Sequence, residues 1–145
     1  MSSLKDTLKH FELDHIGVAV ESLAKGKIFY EALGLGPMTT ERVESEKVTV
    51  GFFELENDSR IELLEPTDKG SPVAKFLEKR GPGIHHICLK VNDIRSLLKT
   101  LKSQGVQLIN EEPRQGAHNC LVAFIHPKST GGILIELSQH QGSHS

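Results

Sequence analysis

The chain has little that would fix a fold covalently or insert it into a membrane. Its 145 residues include two cysteines, no tryptophan and one tyrosine, and no stretch approaches the ~20 apolar residues of a membrane span. Cys88 and Cys120 lack metal-ligand spacing, so we expect reduced thiols rather than a disulfide framework. The net charge of −2 gives no general attraction to nucleic acid or anionic membranes. These features predict a cytoplasmic protein that binds neither.

The length and composition suit one compact domain spanning residues 1–145. Hydrophobic residues make up 37% of the chain and charged residues 25%, which is ordinary for a globular protein. A chain of this size buries enough surface to fold without a disulfide or a structural metal. Halves of this chain would be small to stand alone, so we expect both to share one domain.

One segment of the chain occurs twice. Residues 13–20 (LDHIGVAV) return as residues 84–91 (IHHICLKV), so that His15 corresponds to His86. A second pair, RIELL at 60–64 and LIELS at 134–138, relates Glu62 to Glu136. Two histidines and two glutamates related by an internal duplication can converge on one point between the halves. This is how a metal site can be built.

The same order of elements follows each copy. Asp93 is a helix N-cap, and the apolar residues after it recur at helical spacing. Gly34 and Gly105 each end a helix. The pattern predicts two βαβββ modules, about 12–66 and 83–138, joined by a linker helix at about 71–81. The expected elements are a strand at 13–20, a helix at 23–33, alternating strands within 38–65, a strand at 84–91, a helix that follows its cap Asp93 and ends at Gly105, and strands at 106–109, 120–125 and 132–137.

Strand parity distinguishes the candidate histidines, because residues i and i+2 share a face. His15 shares its face with Gly17 and Ala19, which leave room beside it. His86 shares its face with Cys88. His85 instead lies on the side of the apolar residues that are expected to pack under the helix. We therefore choose His86 over His85 as the counterpart of His15.

Glu62 and Glu136 each lie between two apolar strand residues, so each carboxylate points away from an apolar face. A carboxylate in such a strand needs a compensating partner if it is buried. Two imidazoles and two carboxylates suit divalent ions such as Co, Ni, Mn, Fe or Zn and leave positions open for substrate. Any one of the four could be an ordinary solvated strand residue, but the duplicated set favours a metal site.

These residues carry a family resemblance over nearly all of Leu13 to Leu137. The chain resembles the vicinal oxygen chelate (glyoxalase/bleomycin resistance/dioxygenase) superfamily and, within it, the methylmalonyl-CoA epimerase family. The resemblance implies an α+β fold in which two βαβββ modules form a cupped mixed sheet around a metal site. It also implies a homodimer. The matching stretches are 14–20, 61–66, 71–77, 83–87 and 126–137, the last two being the most specific.

The resemblance implies a site and a reaction. His15, Glu62, His86 and Glu136 would hold a divalent metal ion, and the two C2 epimers of methylmalonyl-CoA would interconvert by proton abstraction and return through a metal-stabilised enolate. Glu136 is the first candidate for the catalytic base. Because anionic phosphates favour Lys and Arg, the candidates for binding the acyl-CoA substrate are Arg114 and Lys128, with the pair Lys79 and Arg80 more simply explained as a helix end.

The chain departs from the family pattern at Val50, where some epimerases carry a second glutamate. Glu46 and Glu54 share the parity of Val50, but each is four residues away, roughly 13 Å along a strand. Neither can simply replace that glutamate. The second acid/base is therefore unassigned, and the candidates for it are His118 and a metal-bound water.

Three other functions compete with the epimerase. A lactoylglutathione lyase can use the same His, Glu, His, Glu order and is not distinguished by the ligands. A ring-cleaving dioxygenase would use two histidines and one carboxylate, so Glu62 argues against it. A metal-free binding or resistance protein of the same superfamily would not need both His15 and His86.

Overall fold

A computed structural model of the chain describes residues 10–142, which divide into two compact units. One unit is His15–His86, and the other joins the residues up to Asp14 to those from Ile87 onward. Both boundaries fall inside strands rather than in linkers. Apart from these few strand residues, each unit contains one of the predicted modules.

The unit His15–His86 contains the first βαβββ module and the linker helix. Its strands lie in the order β2-β3-β4-β1, with β1 parallel to β4 and the other neighbours antiparallel. The sheet is therefore mixed, as predicted. The elements are β1 (Glu12–Ala19), α1 (Leu23–Ala32), β2 (Thr39–Val43), β3 (Val48–Glu54), β4 (Arg60–Pro66) and α2 (Pro72–Arg80).

Local sequence signals fix the ends of α1. The Ser22 hydroxyl caps the helix by accepting a hydrogen bond from the Lys25 N–H at 3.2 Å. The helix ends before Gly34, whose φ of +97° lies in the left-handed region that glycine adopts without steric cost. Leu23 packs with Phe53 and Leu63 in the core of this unit. The predicted helix 23–33 is thus confirmed within one residue.

The other unit contains the second module, whose strands lie in the order β5-β8-β7-β6 with β5 parallel to β8. Asp93 caps α3 by accepting from the Ser96 N–H at 3.1 Å. Ile94 and Leu98 of this helix are buried against Leu137 of β8. The α+β class and the repeated βαβββ order are confirmed. The elements are β5 (Gly83–Lys90), α3 (Ile94–Ser103), β6 (Arg114–Gln115), β7 (Cys120–Ile125) and β8 (Ile135–His140).

The predicted strand at 106–109 is wrong. This segment runs beside β7, where the Ile109 N–H donates to the Phe124 carbonyl at 2.9 Å and Leu108 forms a single bridge with Ile125. The Asn110 side chain then accepts from the Phe124 N–H at 2.8 Å. Because a side chain takes the place of the backbone acceptor, the ladder does not extend, and the short strand of this module is β6.

The predicted start of the last strand at Gly132 is also wrong. Gly131 and Gly132 have φ values of +83° and +103°, which belong to a turn rather than to extended backbone. The strand begins at Ile135 and continues to His140.

Between residues 10 and 142 no helix has the length and apolar character needed to cross a membrane.

Candidate metal centre

The parallel pairing of β1 with β4 places His15 and Glu62 on one face. His15 lies opposite Arg60 and Gly17 lies opposite Glu62, so these four residues share that face. His15 is 6% exposed and Glu62 is 4% exposed. Two polar side chains that are this deeply buried need partners, because burial removes their hydration.

The ring of His86 fills the space beside His15. The two imidazoles meet edge to face, with ring centroids 5.1 Å apart and Nε2 atoms 3.0 Å apart. A Cβ at Gly17 would lie 2.7 Å from Nδ1 of His86, so any side chain there would collide with this ring. The room that the small residues leave beside His15 is therefore used by the second histidine.

The outer edge of His15 is held by Glu62. Nδ1 of His15 lies 3.2 Å from Oε2 of Glu62. The same oxygen accepts from Nε and Nη2 of Arg60, at 3.0 and 2.9 Å. The Arg60 guanidinium also lies over the ring of Phe52, 5.8 Å from its centroid. Arg60 supplies the compensating charge that the buried carboxylate requires, and the two groups fix the plane of His15.

The outer edge of His86 is held by His85. Their Nδ1 atoms lie 3.0 Å apart, and the His85 ring packs against Phe76 of α2 with centroids 5.1 Å apart. Sequence reasoning assigned His85 only to packing and gave Arg60 no role. The contact of Arg60 could have been predicted, because Arg60 precedes Glu62 by two residues and so lies on the same face of the strand. No sequence signal predicts the contact of His85 with His86.

The two inner nitrogens fit a divalent metal ion. Two ligands about 2.1 Å from one ion and at a right angle to each other stand about 3.0 Å apart, and the Nε2 atoms of His15 and His86 are 3.0 Å apart. As a hydrogen bond this contact requires a proton on one of the two nitrogens, which metal binding would displace. Each Nδ1 is engaged on the far edge of its ring, as is usual for metal-binding histidines.

Glu62 differs from the sequence-based interpretation in its orientation. Its Oε2 lies against Nδ1 of His15, on the edge of the ring away from Nε2. In this conformation Glu62 orients His15. Coordination of the same ion by Glu62 would require its carboxylate to move.

Glu136 lies in the other unit, on β8, and is 8% exposed. Its cross-strand neighbours are Cys88 on β5 and Phe124 on β7. The adjacent Leu137 packs in the core with α3, so Glu136 points to the opposite face of the strand. The predicted parity of Glu136 is confirmed.

Strand pairing identifies a carboxylate beside Val50, the position at which the chain departs from the family pattern. Phe52 lies opposite Glu62, and Val50 shares the face of Phe52 two residues away. Val50 is buried and lies opposite Glu41 on β2. Directly paired residues have Cβ atoms about 4.5–5.5 Å apart, so Glu41 is closer to position 50 than Glu54 is. Sequence reasoning missed Glu41 because the β2–β3 register was not predictable.

The cationic side chains considered for binding the substrate lie on β6, in a 3-10 turn and at the end of α2. Arg114 is exposed on β6, and Lys128 is exposed in the 3-10 turn Pro127–Ser129. Lys79 and Arg80 form the last turn of α2, where Arg80 stacks on Phe76 at 5.7 Å. His118 is half-buried with a φ of +57°.

Comparison with known proteins identifies one family. A family model described as the glyoxalase/bleomycin resistance protein/dioxygenase superfamily matches residues 14–124. The ethylmalonyl-CoA/methylmalonyl-CoA epimerase of Cereibacter sphaeroides is 42% identical over 130 residues, covering 88% of this chain and 96% of that protein. The human mitochondrial methylmalonyl-CoA epimerase is 40% identical over 130 residues, covering 88% of this chain and 73% of that protein.

The fold agrees with a solved structure of a methylmalonyl-CoA epimerase. The crystal structure of methylmalonyl-CoA epimerase from Mycobacterium tuberculosis matches with a TM-score of 0.84 and 37% sequence identity, covering 90% of this chain and 88% of that one. The glyoxalase-like fold expected from the sequence is therefore confirmed.

Proposed function

The chain belongs to the glyoxalase/bleomycin resistance/dioxygenase superfamily and, within it, to the methylmalonyl-CoA epimerase family, and we propose that it interconverts the two C2 epimers of methylmalonyl-CoA. The observation that carries this proposal is the buried imidazole pair of His15 and His86, with Nε2 atoms 3.0 Å apart. A pair of this kind in a chain 40% and 42% identical to two named epimerases supports a metal-assisted proton transfer.

Four side chains are proposed to hold a divalent ion, which would be Co, Ni, Mn or Zn. His15 and His86 would bind through Nε2, and Glu62 and Glu136 would complete the set. When bound, the ion supplies a Lewis acid that polarises the thioester carbonyl of the substrate. To bind the ion, Glu62 would first have to release Nδ1 of His15, which contacts the same oxygen as Arg60.

Glu136 is proposed to remove the C2 proton. The C2–H bond breaks, its electron pair is delocalised toward the thioester carbonyl, and the proton passes to a carboxylate oxygen of Glu136. Coordination lowers the basicity of a carboxylate, so the bond from Glu136 to the ion would have to loosen during turnover.

The second proton transfer is proposed to use Glu41. Epimerisation requires that a proton be returned on the face of C2 opposite to the one it left. Glu41 is half-buried, lies beside Val50 and shares the sheet face of His15 and Glu62. These relationships favour it over Glu46 and Glu54.

The proposed function also involves substrate binding, assembly and location in the cell. Arg114 and Lys128 would bind the phosphates of the acyl-CoA substrate, and both are exposed. We propose a homodimer because the family resemblance implies one. Neither Cys88 nor Cys120 forms a disulfide within residues 10–142, which supports a reducing compartment, and we propose the cytoplasm.

The competing functions have weaker support. The named relatives reported above are epimerases, which favours this activity over a lactoylglutathione lyase. A metal-free binding protein would have no comparable use for the buried contact between His15 and His86.

Deuterium incorporation tests the proposed function directly. The protein is incubated in deuterated water with Co²⁺ or Ni²⁺ and either methylmalonyl-CoA or the methylglyoxal–glutathione adduct, and proton NMR follows each substrate. We expect exchange at C2 of methylmalonyl-CoA alone. Exchange in the adduct alone would assign a lactoylglutathione lyase, and the absence of exchange in both would favour a binding protein.

A further inference from the structure

We propose that His85 is a positioning residue of the metal centre, which sets the tautomer and the ring plane of His86. The proposal rests on the proposed metal-dependent function and extends it to a side chain outside the ligand set. It is carried by the contact between Nδ1 of His85 and Nδ1 of His86, at 3.0 Å.

The chemistry of imidazole gives this contact a direction. A neutral ring carries its proton on one nitrogen and a lone pair on the other. For Nε2 of His86 to offer a lone pair to a metal ion, the proton of His86 must be on Nδ1. His86 then donates the hydrogen bond, and Nδ1 of His85 accepts it. His85 in turn carries its own proton on Nε2.

The ring of His85 is itself held by the linker helix α2. Phe76 meets it edge to face, with an angle of 74° between the rings and centroids 5.1 Å apart. The start of this helix is fixed by Ser71, which is fully buried and whose hydroxyl accepts from the Val73 N–H at 3.1 Å. The linker helix therefore supports the centre through Phe76 and His85.

The duplicated histidines have unequal outer partners. Nδ1 of His15 faces a carboxylate, that of Glu62, whereas Nδ1 of His86 faces the imidazole of His85. A carboxylate partner raises the donor strength of an imidazole more than a neutral acceptor does. His86 would therefore donate its Nε2 lone pair to the metal ion less strongly than His15 does. The plane of its ring depends on His85.

The tautomers can be measured without any substitution. Long-range ¹H–¹⁵N spectra of the Zn-loaded protein report which ring nitrogen of each histidine carries the proton. We expect Nδ1–H for His86 and Nε2–H for His85. The opposite tautomer at His85 would overturn the proposal.

Two substitutions separate hydrogen bonding from packing. His85→Phe keeps an aromatic ring against Phe76 but has no acceptor, whereas His85→Asn places an amide oxygen near the position of Nδ1. We expect Co²⁺ affinity to fall about 10- to 100-fold in His85→Phe, with altered visible absorption of the bound cobalt, and to recover in His85→Asn. His10→Phe, at an exposed histidine, is the matched control and should match the wild type.

The outcomes distinguish a failure of the His85 contact from a failure of the metal centre. Wild-type cobalt affinity and spectrum in a folded His85→Phe protein would refute the role of His85 while leaving the metal centre intact. A wild-type chain that binds no cobalt, zinc, nickel or manganese would refute the metal centre and this inference with it. Circular dichroism establishes that each variant is folded before its affinity is compared.

Discussion

Gly17 and His86 share one space: a Cβ on Gly17 would lie 2.7 Å from Nδ1 and 2.8 Å from Nε2 of the His86 ring. The glycine is required here by the close approach of an imidazole rather than by its own backbone conformation. This relationship lets the geometry of the centre be tested at a residue that carries no functional group.

Gly17→Ala should therefore displace His86 and weaken metal binding. We expect Co²⁺ affinity to fall by at least about tenfold, because a ligand moved out of position loses its contribution to binding. Isothermal titration with Co²⁺ measures the change. Gly83→Ala is the matched control, since a Cβ there would meet nothing within 4 Å. Equal affinities for the two variants would contradict the assignment of His86.

Arg60→Met should destabilise the metal-free protein. It leaves Glu62 buried without its cation, and breaking a buried ion pair in this way costs about 3–5 kcal/mol. Urea denaturation measures the free energy of unfolding. Arg42→Met provides the comparison, because Arg42 pairs with Glu44 at the surface, where such pairs contribute about 0–1 kcal/mol.

The double variant Arg60→Met/Glu62→Gln identifies the cause of that loss. Removing the charge of Glu62 removes the need for a cation, so the double variant should be more stable than Arg60→Met alone. If it is no more stable, the destabilisation comes from lost packing on Phe52 instead.

Glu136→Gln should abolish exchange of the C2 proton with solvent deuterium in one of the two epimers while the fold is retained. A carboxamide cannot accept the proton, so the epimer whose C2 proton faces Glu136 should remain unlabelled, while the other epimer should still exchange through Glu41. Proton NMR measures the exchange and circular dichroism the fold. Labelling of both epimers at the wild-type rate would remove Glu136 from the role of base.

Glu41→Gln should separate proton removal from epimerisation. If Glu136 acts on one face of C2 and Glu41 on the other, the variant should still exchange the proton of one epimer but convert neither into the other at an appreciable rate. Each pure epimer is followed in deuterated water by NMR. Glu44→Gln, at an exposed residue just after β2, is the control. Conversion at the wild-type rate by Glu41→Gln would exclude it as the second acid/base.

His86→Ala should remove both bound metal and activity. The loss of one imidazole leaves His15 without its neighbour, and metal analysis after dialysis should show a substoichiometric ion. Full epimerase turnover by this variant after treatment with a chelator would refute the metal-dependent mechanism.

Much of the site could be predicted from two kinds of sequence pattern, the internal repeat and the alternation of side chains along each strand. The repeat related His15 to His86, and alternation along the strands separated Glu62 and Glu136 from their apolar neighbours. These inferences depend on side-chain direction within one strand, which the sequence specifies through burial. The prediction failed at 106–109, where apolar content suggested a strand but the Asn110 side chain takes the N–H of Phe124.

The sequence by itself determined the two βαβββ modules, the duplicated histidines and glutamates, and the family. It did so because hydrophobic periodicity, helix caps and turn residues act over a few positions. Only the tertiary structure decided which groups contact those histidines: Glu62, paired with Arg60, contacts His15, and His85, packed on Phe76, contacts His86. Those contacts depend on strand register and helix packing between residues far apart in the chain, where a shift of one position would replace every partner.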